Sequence, residues 1–186
     1  MYADGICELE DNVYNRMIEF GDINYELLDI AEKQSVLNHY EKFINFFDTS
    51  ISLQLFLFNR RKEPKVLMEQ VGIVPQGDGH DDIRKEVSDM LKEQAVNGTG
   101  GIVKSKYFIF GVKEKNVSEA RARLATIEGD VIANLKRMGV KAKSLNGTER
   151  LEILHEYFHQ DRKNKFHFSY AEAARSGYGV KDYINL

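Results

Sequence analysis

The chain has 186 residues, of which 42% are apolar and 30% charged, with 14 Gly, 2 Pro, one Cys and no Trp. That is enough for one compact domain with a real core, short of two full ones, and too poor in Pro and Gly for a collagen-like or low-complexity chain. Twenty-six Lys and Arg stand against 29 Asp and Glu, a net charge of −3 with the basic residues scattered, which gives no support to a domain built around nucleic-acid phosphates.

The first residues read as a hairpin, Gly5 to Glu10 and Val13 to Phe20, with Asp11-Asn12 at the turn. Cys7 lies in the first of these strands with no second cysteine to bridge to, so a buried structural thiol is expected rather than a nucleophile. No charged segment followed by an apolar one opens the chain, and a cytosolic setting follows as the expectation. From Ile30 the apolar residues fall at Leu37, Tyr40, Ile44 and Phe47, with Val36 and Phe43 widening the face. That is helical spacing, and one side of the helix is expected to be buried. The aromatic group Tyr40, Phe43, Phe46 and Phe47 fits a core better than a base-stacking platform.

Ile51 to Phe58 alternates as a strand and turns apolar on both faces near its end, which places it centrally in a sheet. It is also the longest apolar-dominated run, far short of the roughly 20 residues of a membrane span. Arg60 to Pro64 ends it, and Pro75 to Gly79 reads as a loop. Ile83, Val87, Met90, Leu91 and Ala95 mark an amphipathic helix that stops at Asn97-Gly98, and Ile102 to Val112 reads as a strand. Asn116 with Glu119 resembles a capping box opening a long helix through Leu124, Ile127, Val131, Leu135 and Met138, closed by Gly139. A short strand at Val140 to Leu145, a turn at Asn146-Gly147 and a Thr148-capped helix through His159 follow. The expected fold is α+β, a two-layer sandwich with a mixed, mostly antiparallel sheet and helices packed on it in the manner of ferredoxin-like folds. Residues 1–161 are taken as one domain, and 162–186 as an extension.

Four sequence patterns bear on chemistry. Gly98 to Ser105 imitates a phosphate-binding loop, but Val103 replaces the glycine that must precede the lysine, and the stretch leaves a helix for a strand, the reverse of the required order. His155-Glu156-Tyr157-Phe158-His159 spells H-E-x-x-H on a helix, the pattern of a zinc hydrolase in which Glu156 would act as general base. Its third ligand is missing at the expected spacing, and an accidental match is the better reading. Asp78, Asp81 and Asp82 around His80 precede a helix, where the dipole favours carboxylates without any cation. Arg60, Arg61, Lys136, Arg137, Lys141 and Lys143 are the residues a single-strand nucleic-acid module would use. No catalytic, cofactor-binding or metal residue is assigned.

Several stretches in order resemble the N-terminal domain of the conjugative-transfer traffic ATPases of type IV secretion systems, the TraE/TrbE/CagE group, in the versions carried by integrative and conjugative elements. They are Asp22 to Leu27, Phe47 to Leu55, Val74 to Asp78 followed by Ile83-Arg84 and Met90-Leu91, Lys104 to Gly111, Ile127-Glu128, Leu154-His155 and Gly177 to Ile184. The resemblance implies an α/β domain standing ahead of a motor that holds the P-loop, ATP and Mg, none of which belongs to this chain. It further implies a non-catalytic role at the cytoplasmic face of the inner membrane. There the domain would dock the motor to the secretion-channel platform and support self-association, without direct nucleic-acid contact. The loop Asn59 to Lys65 and the tail after Asp161 are the expected contact regions.

Overall fold

A computed structural model describes residues 1–23, 25–61, 73–97, 102–159 and 166–177. Its strands are β1 (Cys7–Glu8), β2 (Val13–Phe20), β3 (Ser52–Arg61), β4 (Ile102–Lys113) and β5 (Ala142–Ser144). Its α-helices are α1 (Ile30–Asn45), α2 (Asp81–Asn97), α3 (Val117–Arg137), α4 (Gly147–Phe158) and α5 (Tyr170–Ser176). The fold is α+β, as the alternation of periods in the sequence implies. The chain forms two compact units, Met1–Leu57 with Lys106–Leu186, and Phe58–Ser105. Residues 166–177 group with the first unit.

In the first unit β2 is the organising strand. It pairs antiparallel with β4 along its whole length, Val13 opposite Lys113 through Phe20 opposite Lys106. Two short strands share its other edge, β1 at Tyr14 and Asn15, and β5 at Ile18 to Phe20. With β3 beyond β4, the run β2-α1-β3-β4-α3-β5 has the spatial order β5-β2-β4-β3, the split βαβ arrangement of ferredoxin-like folds.

Alternation along β2 sends Tyr14, Arg16 and Ile18 to one face, where α3 lies. Helix α3 turns Ala120, Leu124, Ile127, Val131 and Leu135 inward at three- and four-residue spacing, and all are buried with Tyr14, Ile18, Phe110 and Val112. Asn116 caps it through Glu119 N–H, and Glu119 answers on the Asn116 side-chain amide rather than its backbone. Arg16 belongs to the same face and meets Glu128 of α3 at 2.5 Å. Phe43 of α1 enters this core beside Phe108, 5.4 Å between ring centroids, and edge-on to Phe47.

Helix α4 takes the opposite face. Its N-cap is Asn146, which exchanges hydrogen bonds with Glu149 in a full capping box, so the expected Thr148 cap is displaced by two residues. Gly147, taken as part of the turn, opens the helix instead. Arg150 of α4 reaches Asn15, and Asn15 points away from Tyr14 by the two-residue period of a strand. The sheet is thereby covered by α1 and α3 on one side and partly by α4 on the other.

Two sequence expectations are corrected here. Among the described strands β3 is the outermost, not a central one: Leu53, Leu55 and Leu57 remain partly exposed, so their apolar character does not mark burial within this chain. The α1 stripe is also outward. Ile30 is 87% exposed, and Leu37, Tyr40 and Ile44 are each more than 40% exposed. Only Phe43, about a quarter-turn round the helix from that stripe, is fully buried.

The second unit contains α2 and the turn before it. Asp81 accepts from the backbone N–H groups of Gln76 and Gly77, and Arg84 bonds both Asp78 and Asp81. Gly77 and Gly79 adopt φ of +73° and +83° with open space where a Cβ would sit.

Candidate functional site

The face of the sheet under α4 carries the residues of greatest chemical interest. His155 is buried on α4, and its ring stacks on that of His159 at 4.3 Å with 19° between planes. Phe166 tilts against His155 at 5.5 Å, and His159 places Nδ1 3.1 Å from the His155 carbonyl oxygen. Two imidazoles that ligate one zinc must aim ring nitrogens at a single point about 2.0–2.1 Å from each. Nearly parallel stacked rings direct their in-plane lone pairs side by side instead. Among the described residues no group of three His, Cys, Asp or Glu side chains is placed to hold a metal. The geometry of His155, Glu156 and His159 is that of a helix end packed with rings.

Burial first, and the neighbouring His159 second, hold the His155 imidazole below the usual histidine range. Its neutral form is favoured in the folded state, whereas the unfolded chain protonates near pH 6.5. The stability this contributes is present above the unfolded pKa and is lost as pH falls below about 6.5 toward the depressed folded value. Replacing His155 by Leu is expected to flatten that part of a stability-versus-pH curve measured by urea denaturation. An unchanged slope between pH 7 and 5 would show that other groups cause it.

Beside the histidines, α4 and the sheet enclose a half-open cavity of about 290 Å³. Met17 of β2, Phe56 of β3, Ile109 of β4, and Ile153 and Tyr157 of α4 supply much of its wall. Arg150, 6% exposed, is its charged member. Arg150 Nη1 donates to the carbonyl oxygens of Gly5 at 2.6 Å and Asn15 at 3.2 Å, and Nη2 donates to Asn15 Oδ1 at 2.8 Å. Its Nε–H is out of water with no acceptor. All these partners are neutral, and among the described residues no carboxylate pairs with it. Burial lowers its pKa, yet a guanidinium keeps its proton in proteins. The result is an uncompensated positive charge beside an apolar cavity.

The sequence reading missed Arg150. A signal existed in the spacing Arg150, Ile153 and Tyr157, which puts the arginine on a helical stripe with two large apolar residues. The remaining candidates take ordinary places. Cys7 is half-buried in β1, more open than the expected buried thiol. Asp78 and Asp81 both pair with Arg84, and hydrogen bonding to Arg84 holds the Asp78 carboxyl below the usual range. Lys104 and Ser105 lie within β4, while Gly98 to Gly101 fall outside the described residues. Lys136 and Arg137 occupy the last turn of α3, where the dipole favours cations, and Lys143 pairs with Glu149 at 2.5 Å. Arg60 and Arg61 belong to the other unit. Of the expected contact regions, 62–65, 162–165 and 178–186 lie outside the described residues.

No helix among the described residues is long and apolar enough to cross a membrane. No family model matches the chain, and no curated protein does.

Proposed function

We propose that the chain is a non-catalytic docking domain of the kind that stands ahead of the motor in conjugative-transfer ATPases, contacting the inner-membrane channel platform from the cytoplasmic side. The observation that carries this reading is the apolar surface left open on α1 and β3. Phe56 faces the cavity under α4, so alternation turns Leu53, Leu55 and Leu57 to the face that carries α1. The α1 residues Leu37, Tyr40 and Ile44 are substantially exposed as well. Side chains of this size left in water on two elements of one face mark a protein contact. Pieces that carry the family resemblance also fall on this scaffold, Phe47 to Leu55 leading into β3 and Lys104 to Gly111 forming most of β4. ATP and Mg belong to the motor of the parent protein in this reading.

The test is co-purification. The chain co-expressed with the platform proteins of a conjugation system is expected to be retained with them, and Leu37→Glu with Leu55→Glu is expected to abolish retention. Both positions are about half exposed, so the double variant should change stability by no more than roughly 1 kcal/mol, the sum of two surface substitutions. Retention of a folded double variant at the wild-type level would reject this surface. Absence of retention for the wild type would reject the docking role.

A further inference from the structure

We propose that the cavity between the sheet and α4 is a binding site for a small carboxylic acid with an apolar chain or ring, its carboxylate held by the charge of Arg150. Three observations converge on that chemistry. The wall is apolar, with Met17, Phe56, Ile109 and Ile153 among its members, and no acidic side chain is among the described residues that line it. The volume of about 290 Å³ lies at the small end of ligand pockets, which run roughly from 300 to 1,000 Å³. Among the described residues Arg150, nine-tenths buried, has only neutral partners, and its Nε–H has no acceptor.

The charge selects the sign of the ligand. A guanidinium removed from water and left without a carboxylate favours an anion nearby far more than a surface arginine does, because the surrounding medium screens it less. An alcohol of the same length fills the wall equally but offers that charge only a neutral acceptor, a weaker one than a carboxylate. An ammonium of the same length is repelled. Gln54, exposed on β3 at the edge of the cavity, offers an amide to whatever part of the ligand reaches the rim.

The proposal is separate from the docking surface, since Phe56 and Leu55 point to opposite faces of β3. Its probe is octanoate, titrated into the full chain with methyl-labelled Met, Ile and Leu and followed by NMR, against octan-1-ol and octylammonium. Octanoate is expected to shift the methyls of Met17, Ile109, Ile153 and Leu154, and to bind about tenfold more tightly than octan-1-ol, because a charged acceptor is attracted to the guanidinium more strongly than a neutral one. Gln54→Trp, at an exposed position that leaves the core intact, is expected to block the site and weaken octanoate at least tenfold. Arg150→Met, if folded, is expected to erase the preference over octan-1-ol. Equal affinity for octanoate and octan-1-ol would overturn the proposal, as would shifts confined to residues of α1 or no binding at millimolar concentration.

Discussion

Glu128→Ala is expected to destabilise the first unit by about 3–5 kcal/mol, because it leaves the Arg16 guanidinium buried without its carboxylate. The pair bridges β2 and α3 at 2.5 Å with side chains only 13% and 12% exposed. Arg16 also donates to the Asp4 carbonyl oxygen at 2.9 Å, so the same guanidinium ties the first residues to the core. The pair itself is a poor source of net stability: Arg16 Nε and Glu128 Oε1 are both buried without partners, and desolvation offsets much of the attraction. Arg16→Met combined with Glu128→Leu is therefore expected to recover most of the loss, two apolar groups replacing two charges. Urea denaturation of the two single variants and the double variant measures this directly. A double variant as unstable as the sum of the singles would mean that the two residues act independently.

Gly5→Ala is expected to cost about 3–4 kcal/mol, combining left-handed backbone strain with a forced displacement. Gly5 has φ of +88°, and a Cβ there would lie 2.1 Å from the Leu145 carbonyl oxygen and 3.3 Å from the Asn146 Cα. Neither obstacle is the flexible end of a side chain. The displacement would also disturb the Gly5 carbonyl that accepts from Arg150 and the start of α4, since Asn146 is its cap. Gly77→Ala supplies the comparison: φ is +73° with nothing within 4 Å, so only the backbone cost of about 1–2 kcal/mol remains. Similar losses for the two alanine variants would show that the contact with Leu145 relaxes freely.

Helix α3 was fully legible in the sequence, since Leu124, Ile127, Val131 and Leu135 keep one face and a tertiary core buries that face. The same wheel carries Glu128 among them, four residues from Leu124, and the strand alternation carries Arg16 between Tyr14 and Ile18. The ion pair was thus implicit in two local patterns, although only the folded sheet brings them together. Helix α1 and strand β3 misled for one shared reason. An apolar stripe records that a surface leaves water, and a partner molecule satisfies that requirement as well as a core does. Ile30, Leu37, Leu53 and Leu55 have the pattern of buried residues yet remain exposed, and the proposed docking role would cover them.

The site under α4 was the least legible part. The helix itself was expected, but nothing in a local pattern says which face of a sheet a helix will cover. The H-E-x-x-H spelling drew attention to His155 and His159, whose rings stack, and away from Arg150, which lies five residues earlier and lines the cavity. Its three acceptors come from Gly5 and Asn15, far away in sequence, and long-range partners of this kind leave no periodic trace.

The pairing of β2 with β4 also sets the order in which this protein can be made. Val13 to Phe20 leave the ribosome well before the strand that completes their main ladder, which ends at Lys113, and the whole of Phe58–Ser105 is translated in between. At about 5–20 residues per second the strand waits on the order of 5–20 s for that ladder. During that interval Ile18 and its neighbours have neither β4 nor β5 beside them, and α2, whose helical contacts are local, is free to form first. A nascent chain arrested before β4 therefore leaves β2 without the strand that forms its main ladder.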